Sequence, residues 1–137
     1  MKVKIGVEGF AFDSSHYTLG SSDKCMSLHG HTFRVDVEVE GEVDERTGMV
    51  VDFAVIKDVV KKVLESWDHS LIVPEHEVDK VKLNGPFKRR IKVVKASAGT
   101  TECIAIKLAE EIYSELKLPV KVKVYEGSRS YALVEYP

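Results

Sequence analysis

From Phe33 to Glu40 the chain alternates without a break. Phe33, Val35, Val37 and Val39 are apolar, while Arg34, Asp36, Glu38 and Glu40 are charged. Successive strand residues point to opposite faces, so this segment is a β-strand with one face in a core and the other in water. Such a strand commits its chain to a sheet covered on one side. Val3, Ile5 and Val7 alternate in the same way near the N-terminus. After Gly9 the apolar parity moves to Phe10 and Phe12, which predicts a bulge near Gly9. Val120, Val122 and Val124 predict a third strand, and the run from Tyr131 to Tyr136 a fourth.

The covering layer is legible as well. Ile56, Val59, Val60, Val63, Leu64 and Trp67 follow helical spacing, with Asp52 as an N-terminal cap. A second helix opens at Thr100 or Thr101 and carries Ile104, Ala105, Leu108, Ala109, Ile112, Tyr113 and Leu116 on one face, with Pro119 beyond its end. Asp44 to Gly48 reads as a turn. Residues 70 to 96 are less regular and hold one short apolar stretch, Ile91 to Val94. The order predicts an α+β fold of residues 1–137 in a single domain, its helices on one face of an antiparallel sheet. The sheet's other face or its edges call for a partner.

The chain has 137 residues, enough for one core, and a net charge of −2. That balance argues against bulk nucleic-acid or membrane binding. No apolar run approaches the roughly 20 residues needed to span a bilayer. Glu8 interrupts any apolar leader at the N-terminus. The two cysteines, Cys25 and Cys103, stand in unlike contexts, which favours free thiols and a reduced, cytoplasmic setting over a disulfide.

Chemistry concentrates between His16 and His31. His29 and His31 share the parity of Phe33 and Val35, so the pair extends the core-facing row of that strand. His16 continues the row Phe10, Phe12, Ser14. If the two strands pair, three imidazoles meet at one end of the buried face, with Gly30 leaving room between two of them. Three nitrogen ligands leave one tetrahedral position open, the pattern of a catalytic zinc site. Cys25 either closes that site as a fourth ligand or stands beside it as a base; Lys24 and the metal would favour its thiolate. Spacing does not choose between them. Asp68-His69 has the make-up of a carboxylate-oriented proton carrier, although a histidine at a helix C-terminus is the commoner meaning of such a pair. Glu126, at a strand end, reads on sequence alone as a solvated carboxylate, although such a group can accept paired N–H bonds from a guanidine-like heterocycle edge. Thr101 and Glu102 suit a helix start. His76, between two acids, reads as a solvated loop residue. Lys80 to Lys95 is strongly basic, by default a solvated loop and alternatively a polyphosphate contact.

In this order these elements resemble the 6-pyruvoyl- and 6-carboxy-tetrahydropterin synthase family. The resemblance covers nearly the whole chain: Phe12 to His16, Cys25 to His31, Gly48 to Phe53, Asp68-His69, Thr101-Glu102 and Val124 to Glu126. It implies the tunnelling fold, a four-stranded antiparallel sheet with two helices. Subunits of that fold join edge to edge into barrels, often hexamers made of two trimers, with active sites between them. It implies Zn2+ on His16, His29 and His31, and Cys25 as the base. Asp68 and His69 of a neighbouring subunit would complete the relay, and Glu126 would anchor the pterin with help from Thr101 and Glu102. The implied substrate is 7,8-dihydroneopterin triphosphate. Members of the biopterin type usually place a longer gap between Cys and His-Gly-His than members of the queuosine type. Met26, Ser27 and Leu28 make the shorter gap here. That favours the lyase forming 6-carboxy-5,6,7,8-tetrahydropterin and acetaldehyde over the 6-pyruvoyl synthase. A structural zinc protein, a pterin-binding protein without catalysis and a related pterin-side-chain lyase acting on a dephosphorylated substrate are the remaining alternatives. The chain departs from the family pattern at Ile72 and Gly127, and its segment from Pro74 to Lys95 looks longer than in compact relatives.

Overall fold

A computed structural model describes residues 1–20 and 22–137. Two long strands, β1 (Lys2–His16) and β2 (His29–Glu42), form an antiparallel hairpin with a one-turn helix, α1 (Asp23–Met26), in the connection between them. Helix α2 (Phe53–Glu65) follows, then the short strands β3 (Ser70–Pro74) and β4 (Ile91–Val94), helix α3 (Thr101–Leu116), and the closing strands β5 (Val120–Glu126) and β6 (Ser130–Tyr136).

The sheet has six strands in the order β4-β3-β1-β2-β5-β6. The antiparallel set β1, β2, β5 and β6 corresponds to the four strands expected. The four-strand count itself needs correction: β3 joins β1 in parallel, and β4 joins β3 in parallel. All of Ser70–Pro74 is buried. A strand buried on both faces shows no polar alternation, so it lacks the period-two signature that marks the other strands.

Elsewhere the pattern and the fold agree. The β1–β2 register shifts between Val7 and Phe10. Gly9 sits there at φ 85°, a left-handed conformation that glycine adopts without penalty, and its N–H bonds to Asp36 Oδ1 at 2.9 Å. Asp52 caps α2 by accepting the Ala54 N–H at 2.8 Å. Thr100 caps α3 and accepts from the Cys103 N–H at 3.3 Å. The core lies between the helices and one sheet face: Ile56, Val60, Leu64 and Trp67 on one side, Ile104, Leu108 and Ile112 on another, over Phe33, Val35, Val37, Val122 and Val124. Both cysteines are free, and His76 is exposed in a 3-10 turn over Glu75–Lys80. No described helix is long and apolar enough to cross a membrane.

Candidate active site

The hairpin register assembles the histidines. His16 pairs directly with His29, and Ser14 with His31. Their ring centroids lie 4.6 to 5.1 Å apart, and one ligand atom from each falls within 4.8 Å of the others. His16 is buried and donates its Nδ1–H to the Gly99 carbonyl at 2.7 Å. His29 Nδ1 meets the Ser27 carbonyl at 2.6 Å in the same way. A bond at Nδ1 fixes the ring and its tautomer, and turns the Nε2 lone pair toward a metal. Burial holds the His16 imidazole below its ordinary range, which keeps it in the neutral form that ligation needs.

Two observations fit this group to a metal ion. The Nε2 atoms of His16 and His31 are buried without a hydrogen-bond partner. Glu126 Oε1 lies 3.3 Å from the first and 3.6 Å from the second. With its proton committed at Nδ1, His16 turns its Nε2 lone pair toward a carboxylate oxygen across a short gap, and His31 Nε2 stands beside it. A cation bound among them would satisfy these groups. Cys25 is not part of the group; it is exposed on α1, where Ser22 Oγ donates to its sulfur at 3.3 Å.

Glu126 is held at the end of β5, and Thr101 Oγ1 donates to its Oε1 at 3.0 Å. The structure thus brings Thr101 and Glu126 together from α3 and β5. Glu102 is exposed on the first turn of α3.

Asp68 and His69 lie between α2 and β3. His69 has φ 56°, a left-handed conformation that costs a β-carbon-bearing residue of order 1–3 kcal/mol. It is held there by its N–H on the Asp13 carbonyl at 2.6 Å and its Nδ1 on Asp68 Oδ2 at 3.0 Å. Asp68 Oδ1 accepts the Asp13 N–H at 2.8 Å. That backbone bond, with the His69 contact adding to it, draws the Asp68 carboxyl below the usual carboxylate range. Thr32 Oγ1 in turn donates to Asp13 Oδ1 at 2.5 Å. Asp13 and Thr32 are positioning residues that the spacing of the sequence does not single out. Their only advance signal is that each neighbours a histidine motif on a strand. His31 and His69 line one cleft of about 680 Å³, together with Thr32, Lys88 and Arg90.

Residues 4–137 match the family described as 6-pyruvoyl tetrahydropterin synthase. The chain belongs to this family. The chain is similar to the "putative 6-carboxy-5,6,7,8-tetrahydropterin synthase" of Pyrococcus horikoshii, at 35% identity over 91% of this chain and 85% of that protein. It is also similar to the 6-carboxy-5,6,7,8-tetrahydropterin synthase of Rickettsia bellii, at 37% identity over 77% of each chain. Among solved structures, the 6-pyruvoyl tetrahydropterin synthase of Plasmodium falciparum superimposes with a TM-score of 0.82 over 99% of each chain, at 25% identity. The α+β architecture is therefore that of the tunnelling fold, here with six strands in the sheet.

Proposed function

We propose that this member of the tetrahydropterin synthase family is a zinc-dependent lyase. With the uptake of one water, it converts 7,8-dihydroneopterin triphosphate into 6-carboxy-5,6,7,8-tetrahydropterin, acetaldehyde and triphosphate, a step toward queuosine and related deazapurines. The observation that carries the reading is the convergence of three histidines, two of them with orphaned Nε2 atoms beside the Glu126 carboxylate. The short gap from Cys25 to His29 and the printed names of the relatives favour the 6-carboxy product.

Each residue has a task in this scheme. Glu126, steadied by the Thr101 hydroxyl, accepts N–H bonds from the pterin's guanidine-like edge. Glu102 supports that end of the pocket. His16, His29 and His31 would hold Zn2+, which supplies a Lewis acid toward the substrate's side-chain hydroxyls. Cys25 thiolate takes a proton from the side chain. His69, oriented by Asp68, carries the second proton transfer. Triphosphate leaves by elimination, and the side chain's carbon–carbon bond breaks.

The enzyme works as a homo-oligomer, a hexamer of two trimers with active sites between subunits. In support, both outer strands of the sheet, β4 and β6, have an unpaired edge, and they expose Ile91, Val93, Tyr131 and Leu133. Incubation with 7,8-dihydroneopterin triphosphate, followed by product mass and an acetaldehyde assay, tests the reaction. Acetaldehyde with a 6-carboxy product is expected. A 6-pyruvoyl product without acetaldehyde would replace this reading with the synthase activity that the Plasmodium falciparum protein's name carries.

A further inference from the structure

The reading above places the pterin edge at Glu126 and the side-chain hydroxyls at the histidines. The phosphates lie at the end of that side chain, so they must continue past the histidine cluster. His31 belongs to both places. Its Nε2 lies 3.6 Å from Glu126, and it also lines the cleft of about 680 Å³ that Glu126 does not reach. A volume of that size falls in the range of about 300–1,000 Å³ usual for small-molecule sites.

The far wall of this cleft comes from the segment after the 3-10 turn and carries Lys88 and Arg90. Between Lys80 and Lys95 there are cations and no acid, and the structure sorts them. Lys92 is already engaged, paired with Glu111 at 3.0 Å and set over the Trp67 ring. Arg89 is outside the cleft lining. Arg90 gives one Nη2 bond to the Glu65 carbonyl at 2.8 Å, which orders the side chain without cancelling its charge. Lys88 is exposed and has no hydrogen bond or ion pair among the described residues. The cleft's one acid, Asp13, has Oδ1 occupied by the Thr32 hydroxyl. An ordered guanidinium and a free ammonium facing one cavity suit a polyanion rich in acceptor oxygens.

We propose that Lys88 and Arg90 bind the triphosphate of the substrate at this end of the cleft, an inference that rests on the lyase reading. Three measurements on the purified oligomer test it: steady-state kinetics with 7,8-dihydroneopterin triphosphate, inhibition by inorganic tripolyphosphate, and binding of unphosphorylated 7,8-dihydroneopterin. Lys88→Ala is expected to weaken tripolyphosphate about tenfold, the loss of one charge-assisted hydrogen bond. It raises KM for the triphosphate substrate in parallel and leaves binding of the unphosphorylated pterin in place. Lys88→Arg restores both, and Arg89→Ala, next in sequence but outside the cleft, moves neither. Equal weakening of the phosphorylated and unphosphorylated ligands, or an equal effect from Arg89→Ala, overturns the proposal. The two readings fail separately. Absence of turnover in the wild type overturns the lyase, whereas tripolyphosphate binding that depends on Lys88 upholds the anion site.

Discussion

His16 is the residue on which the proposed metal site turns. It is buried, its Nδ1–H is committed to Gly99, and its Nε2 faces Glu126 with no proton to offer. Replacing it by alanine is expected to abolish metal retention, as read by metal analysis of the purified protein. Cys25 is the contrast, since its sulfur lies outside the histidine group. Cys25→Ala is expected to keep the metal and the fold while turnover falls by about 10²–10⁴-fold, the range for a lost general acid–base group. Loss of metal in that variant would make Cys25 a ligand and the site structural. Asp68 yields a pH prediction. Its folded carboxyl is held below the usual range, first by the Asp13 N–H. Its contribution to stability is therefore present above the unfolded pKa of about 3.9 and is lost as pH falls through the lower folded value. The Tm difference between wild type and Asp68→Asn should be largest near neutrality and shrink below about pH 4. Strand parity made the histidine trio legible, because it put all three on one face; the register that pairs His16 with His29 comes from the folded hairpin. The supports from Gly99, Asp13 and Thr32 were not legible. They are backbone or neighbouring-strand contacts that no local pattern encodes.

At the scale of elements, the sequence was readable wherever one face is wet. The Gly9 bulge followed from a switch of parity, and Asp52 and Thr100 cap the two long helices as their positions imply. The segment Ser70–Pro74 was opaque for the opposite reason: it is buried throughout and paired in parallel, so alternation has nothing to report. That segment matters to the proposed proton relay because its entry holds Asp68 and His69 against β1. The Asp52 cap has a simpler role. Asp52→Ala removes the acceptor for the Ala54 N–H and is expected to cost about 1 kcal/mol in denaturant unfolding. Metal content and KM should not change, since Asp52 caps the N-terminus of α2, at the other end of the helix from Asp68 and His69.

At the scale of the whole molecule, the residues of the proposed relay are divided. His31 and His69 share a cleft within a single subunit, yet Cys25 lies on α1, exposed and outside that cleft. The two halves of the proposed proton relay are thus separated in one chain. Both sheet edges are open for joining to other copies, with apolar side chains displayed on β4 and β6. If a neighbouring copy supplies His69 to the Cys25 of this one, two inactive variants can repair each other. Cys25→Ala and His69→Ala subunits, each inactive alone, are expected to regain activity when co-refolded or co-expressed. Random mixing in equal amounts places both intact residues in about one quarter of shared interface sites, so recovery should approach about one quarter of wild type. Size-exclusion chromatography with light scattering should show the mixed species at the mass of the wild-type oligomer. A mixed oligomer of that mass with no recovered turnover would put Cys25 and His69 in the same subunit's site, and would require the α1 connection to fold toward the cleft when substrate binds.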